Sequence, residues 1–259
     1  MARDVEVILE ARGASFSYDY EEVVSGIDLT LSRPADPVGI VGPSGAGKTT
    51  LLHLLLGNRR PTTGTVTYRG HAVARLGRRE KKTFAGAVRH VSQYGVPTSD
   101  PRLTVLKYLS DALKVARKAG RTHATPIEEL LAFVALEEHV IDRRIVTLSG
   151  GERQRLALAH ALATRPDVML LDEPLTAIDP GLRAEVLRRL ADRAQQMSIT
   201  MLVVSHDIEA IDRLCPLVHV MADGAFVASG SLRDILADPQ HPAVVDLAKA
   251  APLVAQRLR

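Results

Sequence analysis

Two stretches have residue types and spacing that could do chemistry: GPSGAGKTT from Gly42 to Thr50, and VMLLDEP from Val168 to Pro174. The first matches the Walker A pattern through Gly42, Gly47, Lys48 and Thr49, with Pro43, Ser44, Gly45, Ala46 and Thr50 completing the stretch. Glycines let backbone N–H groups approach phosphate oxygens, and the positive end of the helix that follows adds to the attraction. In that chemistry Lys48 reaches the β- and γ-phosphates of a nucleotide and the Thr49 hydroxyl ligates Mg2+. The second stretch ends a buried apolar run in two carboxylates. Asp172 is suited to hold Mg2+, directly or through water, and Glu173 to orient or deprotonate an attacking water.

A third stretch, LSGGERQR from Leu148 to Arg155, has the logic of a helix start. Ser149 and Glu152 make a Ser-x-x-Glu capping box, so the helix begins beside Gly150 and Gly151. Each glycine in a helix costs about 1 kcal/mol relative to Ala, which asks for a reason. A helix start can bind an anion, yet the chain already carries one phosphate cradle.

The elements that must position these residues follow from the surrounding pattern. PVGIVG (Pro37–Gly42) reads as a buried strand leading into the cradle, and KTTLLHLLLGN as a helix closed by Gly57. Alternating β-branched residues from Val5 to Leu31 predict short antiparallel strands around SFSYDYEE, and PTTGTVTYRG (Pro61–Gly70) predicts a turn and a strand. Helical periodicity without strands runs from Pro101 to Val146, in TVLKYLSDALKVARKA and PIEELLAFVAL. DVMLL and TMLVV are compact apolar runs separated by a charged amphipathic helix, PGLRAEVLRRLADRAQQ, which predicts an α/β core with a helical insertion.

Bulk properties narrow the function classes. With 46% hydrophobic and 24% charged residues, the 259-residue chain is an ordinary globular protein, and a net charge of +3 gives no argument for nucleic acid. GRREKK (Gly77–Lys82) reads as solvated surface. Cys215 is the single cysteine and the expected partner of nothing but its apolar neighbours; His53, His71 and His219 lack ligand-like companions. The start of the chain has charges where a signal peptide needs an apolar core, and no run nears the roughly 18 apolar residues of a membrane span. The expectation is a cytoplasmic protein, reaching a membrane only through a partner.

Together these motifs resemble the ATP-binding cassette (ABC) ATPases over nearly the whole chain, and LSGGE resembles that family's signature. Gln93 in VSQYG matches the Q-loop glutamine, LTAID (Leu175–Asp179) the D-loop, and His206 in VVSHD the switch histidine. The resemblance implies a P-loop NTPase (RecA-like) core with an N-terminal antiparallel β subdomain and a helical subdomain inserted after the Q-loop. It divides the chain into 1–92 and 147–230 (core), 93–146 (helical) and 231–259 (a helical tail). It makes ATP and Mg2+ the cofactors and puts Lys48, Gln93, Glu173 and His206 among the catalytic residues. Tyr18, or less favourably Tyr20, would stack on adenine; Gln93, Ser149, Gly150, Gly151, Glu152 and Asp179 would also contact nucleotide, and Gln93 would join Thr49 and Asp172 at the metal. Cassettes of this family pack head to tail, each ATP lying between one subunit's Walker A and the other's signature. ERQR is accordingly expected at the surface, facing a second ATPase subunit.

Within the family, the single motif set and the absence of sustained heptads disfavour the two-cassette translation proteins and the coiled-coil chromosome ATPases. DPRLTV (Asp100–Val105) resembles the Asn-Pro-Arg-x-Thr-Val stretch of ATPases from peptide and nickel importers. The tail from Ala237 to Pro252 resembles that group's His-Pro-Tyr-Thr-Arg tail, with Ala243, Val244 and Val245 in place of Tyr, Thr and Arg. The implied partners are a second ABC ATPase, identical or different, an integral membrane permease and, indirectly, an extracytoplasmic substrate-binding protein, with the chain on the inner face of the membrane. An iron-sulfur assembly ATPase is the alternative.

Overall fold

A computed structural model describes residues 5–33, 36–121 and 125–250. Residues 251–259 of the expected tail, with 1–4, 34–35 and 122–124, therefore lie outside the described residues. Strands β1 (Glu6–Tyr18), β2 (Glu21–Arg33), β3 (Val38–Val41), β4 (Thr63–Tyr68), β5 (His71–Ala72), β6 (Val88–Val91), β7 (Val168–Asp172), β8 (Thr200–Val204), β9 (Leu217–Ala222) and β10 (Ala225–Gly230) form two sheets. The antiparallel sheet has the order β2-β1-β4-β5. The other runs β10-β9-β3-β8-β7-β6, parallel except for the edge strand β10. The helices are α1 (Lys48–Leu55), α2 (Arg78–Ala87), α3 (Val105–Lys118), α4 (Ile127–Phe133), α5 (Gly150–Ala163), α6 (Pro180–Gln196), α7 (Ile208–Leu214), α8 (Leu232–Ala237) and α9 (Pro242–Ala250).

Apolar runs with no polar face require cover on both sides, and the parallel sheet has it. Along β7, Val168 and Leu170 join one buried cluster while Met169 and Leu171 join the other; along β8, Leu202 and Val204 part from Met201 and Val203 in the same way. The first cluster is completed by Leu51, Leu52, Leu54 and Leu55 of α1 and the inner face of the antiparallel sheet. The second is completed by α3, α4, α5 and α6. The parallel strands thus end, at their C-terminal edge, between two packed layers, where α/β sheets place ligands.

One local expectation changes. The strands around SFSYDYEE are long, thirteen residues each, and stay paired by slipping register, for instance between Ala11 and Ala14. The GRREKK run lies at the surface as expected, all six residues exposed, and it opens α2, where the Glu80 carboxylate accepts from the Gly77 N–H at 2.8 Å and the later residues Phe84, Gly86 and Ala87 are buried. Cys215 is 3% exposed, and burial pushes its thiol up to about 12, as a small apolar core residue.

Asp167, just before β7, joins three parts of the chain. Its carboxylate accepts from Arg33 of β2 at 3.0 Å and from Arg69, after β4, at 3.3 Å. Arg121, beyond α3, stands 3.7 Å away and also donates to the carbonyls of Gly86 (2.9 Å), Thr164 (3.3 Å) and Arg165.

Candidate nucleotide-binding site

The loop between β3 and α1 must turn sharply beneath the sheet edge. A Cβ on Gly42 would strike the carbonyl oxygen of Met221, and one on Gly47, at φ 96°, would strike that of Val23. Gly47 is the N-cap of α1, so no side chain satisfies the first N–H groups, and the first turn holds no acidic residue. An uncapped positive helix end facing an exposed Pro43–Gly45 loop is what a phosphate group needs. Lys48 donates to the carbonyls of Gly42 at 2.8 Å and Pro43 at 2.7 Å. Burial lowers its pKa, opposed by the carboxylates of Glu173 and Asp172.

Those carboxylates end β7 as expected. Asp172 accepts from the Thr49 hydroxyl at 3.3 Å, so two oxygen donors of the kind Mg2+ takes meet at the foot of α1. Glu173 has φ 47°, a left-handed conformation that costs a non-glycine residue about 1–3 kcal/mol and recurs at functional sites. Its N–H donates to the Val204 carbonyl at 2.9 Å, which holds the turn. One carboxylate oxygen lies 2.9 Å from His206 Nδ1 and the other accepts from Ser205 Oγ at 3.3 Å. Glu173 is thus mostly covered, with 15% of its side chain exposed, against 70% for His206.

Three residues at this site were not singled out from the sequence. Ser205 holds Glu173; the signal for it is a hydroxyl directly after a fully buried strand and before His206. Arg183 on α6 donates to the carbonyls of Leu175 at 3.0 Å and Ile178 at 3.2 Å and to the Asp207 carboxylate at 2.6 Å, joining the D-loop segment to the turn that carries His206. The third is Gln154. Asp179 caps α6, accepting from the Leu182 N–H at 3.0 Å ahead of Pro180.

The capping box at α5 forms as expected: Ser149 Oγ accepts from the Glu152 N–H at 3.2 Å, and Glu152 accepts from the Ser149 N–H at 2.7 Å. Burial works to raise the Glu152 pKa, but the bonds from Ser149 and the charge of Arg143, 3.2 Å away, outweigh it and the carboxyl sits below its usual value. The expectation that ERQR lies at the surface is corrected. Gln154 is 3% exposed, because the turn at Gln93 and the D-loop both fold over that face of the helix. Arg153 turns back to the Leu148 carbonyl at 2.7 Å, and Arg155 reaches the Ala135 carbonyl. Its signal was available: Gln154 shares a helix face with buried Gly151 and Leu158.

The structure therefore brings Lys48, Thr49, Asp172, Glu173 and His206 together. Among the described residues, no hydrogen bond or salt bridge joins Ser149–Glu152 to that group. Gln93 is exposed and held by its carbonyl. Tyr18 is 40% exposed, its ring edge-on to Phe16 with centroids 4.8 Å apart and the Arg59 guanidinium 5.5 Å from its centre; Tyr20 is fully exposed.

The ABC transporter family profile matches residues 24–176. The nickel import ATP-binding protein NikE of Shigella boydii is 34% identical over 230 residues, 86% of this chain and 84% of that protein. The oligopeptide transport ATP-binding protein OppD of Mycobacterium tuberculosis is 36% identical over 231 residues, 88% of this chain and 37% of that longer protein. Among solved structures, a nucleotide-free ATP-binding cassette from an ABC transporter superposes with a TM-score of 0.75 at 22% identity, covering 93% of this chain and 98% of the other. A dimeric post-hydrolysis state of a cassette bound to ADP and Pi gives 0.73 at 24%, covering 86% and 98%. These two show the P-loop cassette fold, and with the closer relatives and the family match they establish that the chain belongs to the ABC transporter family, as an ATPase similar to those of its peptide and nickel importers.

Proposed function

We propose that this chain is the ATP-hydrolysing subunit of an importer of peptides, nickel or a related metal chelate, working on the inner face of the membrane against a permease fed by an extracytoplasmic receptor. One observation carries the chemistry: Lys48, the Thr49–Asp172 pair and the Glu173–His206 pair converge at the uncapped start of α1. The relationship to NikE and OppD supports import. No helix among the described residues is long and apolar enough to cross a membrane, which fits a subunit attached through a partner.

The α1 N–H groups and Lys48 bind the ATP phosphates, and Thr49 and Asp172 would hold Mg2+, which would supply neutralisation of the phosphate charge. Tyr18 faces the adenine. Glu173 orients and deprotonates the attacking water, while His206 fixes the carboxylate and Ser205 its second oxygen. Ser149, Gly150, Gly151 and Glu152 face the nucleotide of a second ATPase subunit, and Asp179 stands at the same junction. Residues 93–146 carry the motion from Gln93 to the permease, and closing and reopening of the dimer follow ATP binding and hydrolysis.

Glu173→Gln tests the central assignment. It keeps the shape and removes the base, so steady-state ATP turnover is expected to fall about 100- to 10,000-fold while ATP stays bound. Rapid hydrolysis by the purified variant overturns the assignment. Isolation of the protein from membranes tests the transport reading: a multispanning permease is expected with it, and soluble assembly proteins in its place contradict it.

A further inference from the structure

Gln154 is a buried amide, and all its polar atoms point at loops far away in sequence. Its Nε2 donates to the Gln93 carbonyl at 2.5 Å and to Thr176 Oγ1 at 3.0 Å, and its Oε1 accepts from the Ala177 N–H at 2.9 Å. Only a carboxamide supplies two donors and an acceptor in one planar group; Glu lacks the donors and Lys the acceptor. The backbones on either side are equally close. A Cβ at Gly95 would sit 2.8 Å from the Arg153 carbonyl carbon and the Gln154 nitrogen, and one at Gly151 would strike the side chain of Ile178. The first turns of α5 are therefore wedged between the Gln93 turn and the D-loop, with Gln154 bonded to both.

The path does not stop there. Arg183 ties the Leu175 and Ile178 carbonyls to Asp207, whose neighbour His206 touches Glu173 at 2.9 Å. We infer that Gln154 is a positioning residue that makes the Gln93 turn and the D-loop move as one body, linking the state of the nucleotide site to the helical segment beyond Gln93. The inference rests on the proposed ATP-driven closure and adds to it the residue through which one chain's own signature helix transmits that closure.

The test is amide hydrogen exchange on the full chain carrying Glu173→Gln, with and without saturating ATP, read in peptides covering residues 93–98 and 174–179. ATP binding is measured first on the same sample. ATP is expected to protect both peptides. Adding Gln154→Glu keeps the acceptor for Ala177 but sets an oxygen against the Gln93 carbonyl. ATP-dependent protection of 93–98 is then expected to fall about 5- to 10-fold, with the response of 174–179 and the ATP affinity within about 2-fold. Thr176→Val, which removes one bond and leaves the other two, should give a smaller change in the same direction and serves if the Gln154 variant does not fold. Equal ATP responses of both peptides in the variants overturn the inference, as does parallel loss of both responses with a lowered Tm, the result of a purely structural role. Failure of the Glu173→Gln chain to bind ATP overturns the proposed function and the inference with it; binding with unlinked loops overturns the inference alone.

Discussion

The helices α1 and α5 both start at glycines, and they are built for opposite tasks. The start of α1 has no side-chain cap and no acidic residue in its first turn, and the nearest cation, Lys48, is spent on the loop's own carbonyls. The start of α5 is satisfied from within by Ser149 and Glu152, and Arg143 neutralises the carboxylate that results. A helix end left unsatisfied attracts a phosphate, whereas one already capped and carrying an acid has less to offer an anion by itself. The difference fits the proposed function, in which α1 takes the nucleotide of its own chain and α5 faces that of a partner, and through Gln154 the first turns of α5 are also wedged between two loops.

The comparison can be broken most severely at α1. Gly47→Ala places a Cβ against the Val23 carbonyl at a left-handed φ, and is expected to cost about 4 kcal/mol from strain and overpacking together, read by urea denaturation. A loss below 1 kcal/mol would mean that the loop has room to spare.

At α5 the sharper probe is acid. His160, near the helix's C-terminal end, stacks on Tyr108 of α3 with ring centroids 4.1 Å apart, beside Arg89 of β6. Burial, aided by the Arg89 charge and opposed by Asp111, takes its pKa from 6.5 down to about 4. The folded protein therefore holds the neutral ring while the unfolded chain takes up a proton. The resulting stability is fully present above pH 6.5 and is lost as pH falls from 6.5 towards 4, by up to about 3 kcal/mol. His160→Phe keeps the stack and should remove that part of the pH dependence in denaturation curves taken at pH 7 and pH 4.5; an unchanged slope contradicts the burial of a neutral imidazole. The smallest effect lies at the cap: Ser149→Ala should cost about 1 kcal/mol in the same assay, a loss for which α1 has no counterpart.

These features differ in how far the sequence disclosed them. The strand ends, the α1 loop, the capping box and the helices α3 and α4 depend on patterns within about a dozen residues, and Ser149, Asp172 and Lys48 could be read directly. The helix face that Gln154 shares with Gly151 and Leu158 marks it as inward-facing, but its partners could not be read so, because they are 61 and 22 residues away and only the folded chain brings them to it. Asp167 is a like case, its three arginines coming from β2, the end of β4 and the end of α3. The helix α2 was masked for a different reason: seven of the ten residues from Arg78 to Ala87 are charged, polar or glycine, and its apolar stripe is narrow.

The contrast between the two helix starts is tested most directly by equilibrium ATP binding to the isolated chain, comparing Lys48→Ala with Ser149→Arg. If α1 alone holds this chain's phosphates, Lys48→Ala should weaken binding about 100-fold or more, while Ser149→Arg should bind within about 3-fold of the unaltered protein and lose turnover. Equal loss of binding in both variants would contradict the account, since it would place the α5 start at the same nucleotide within one chain.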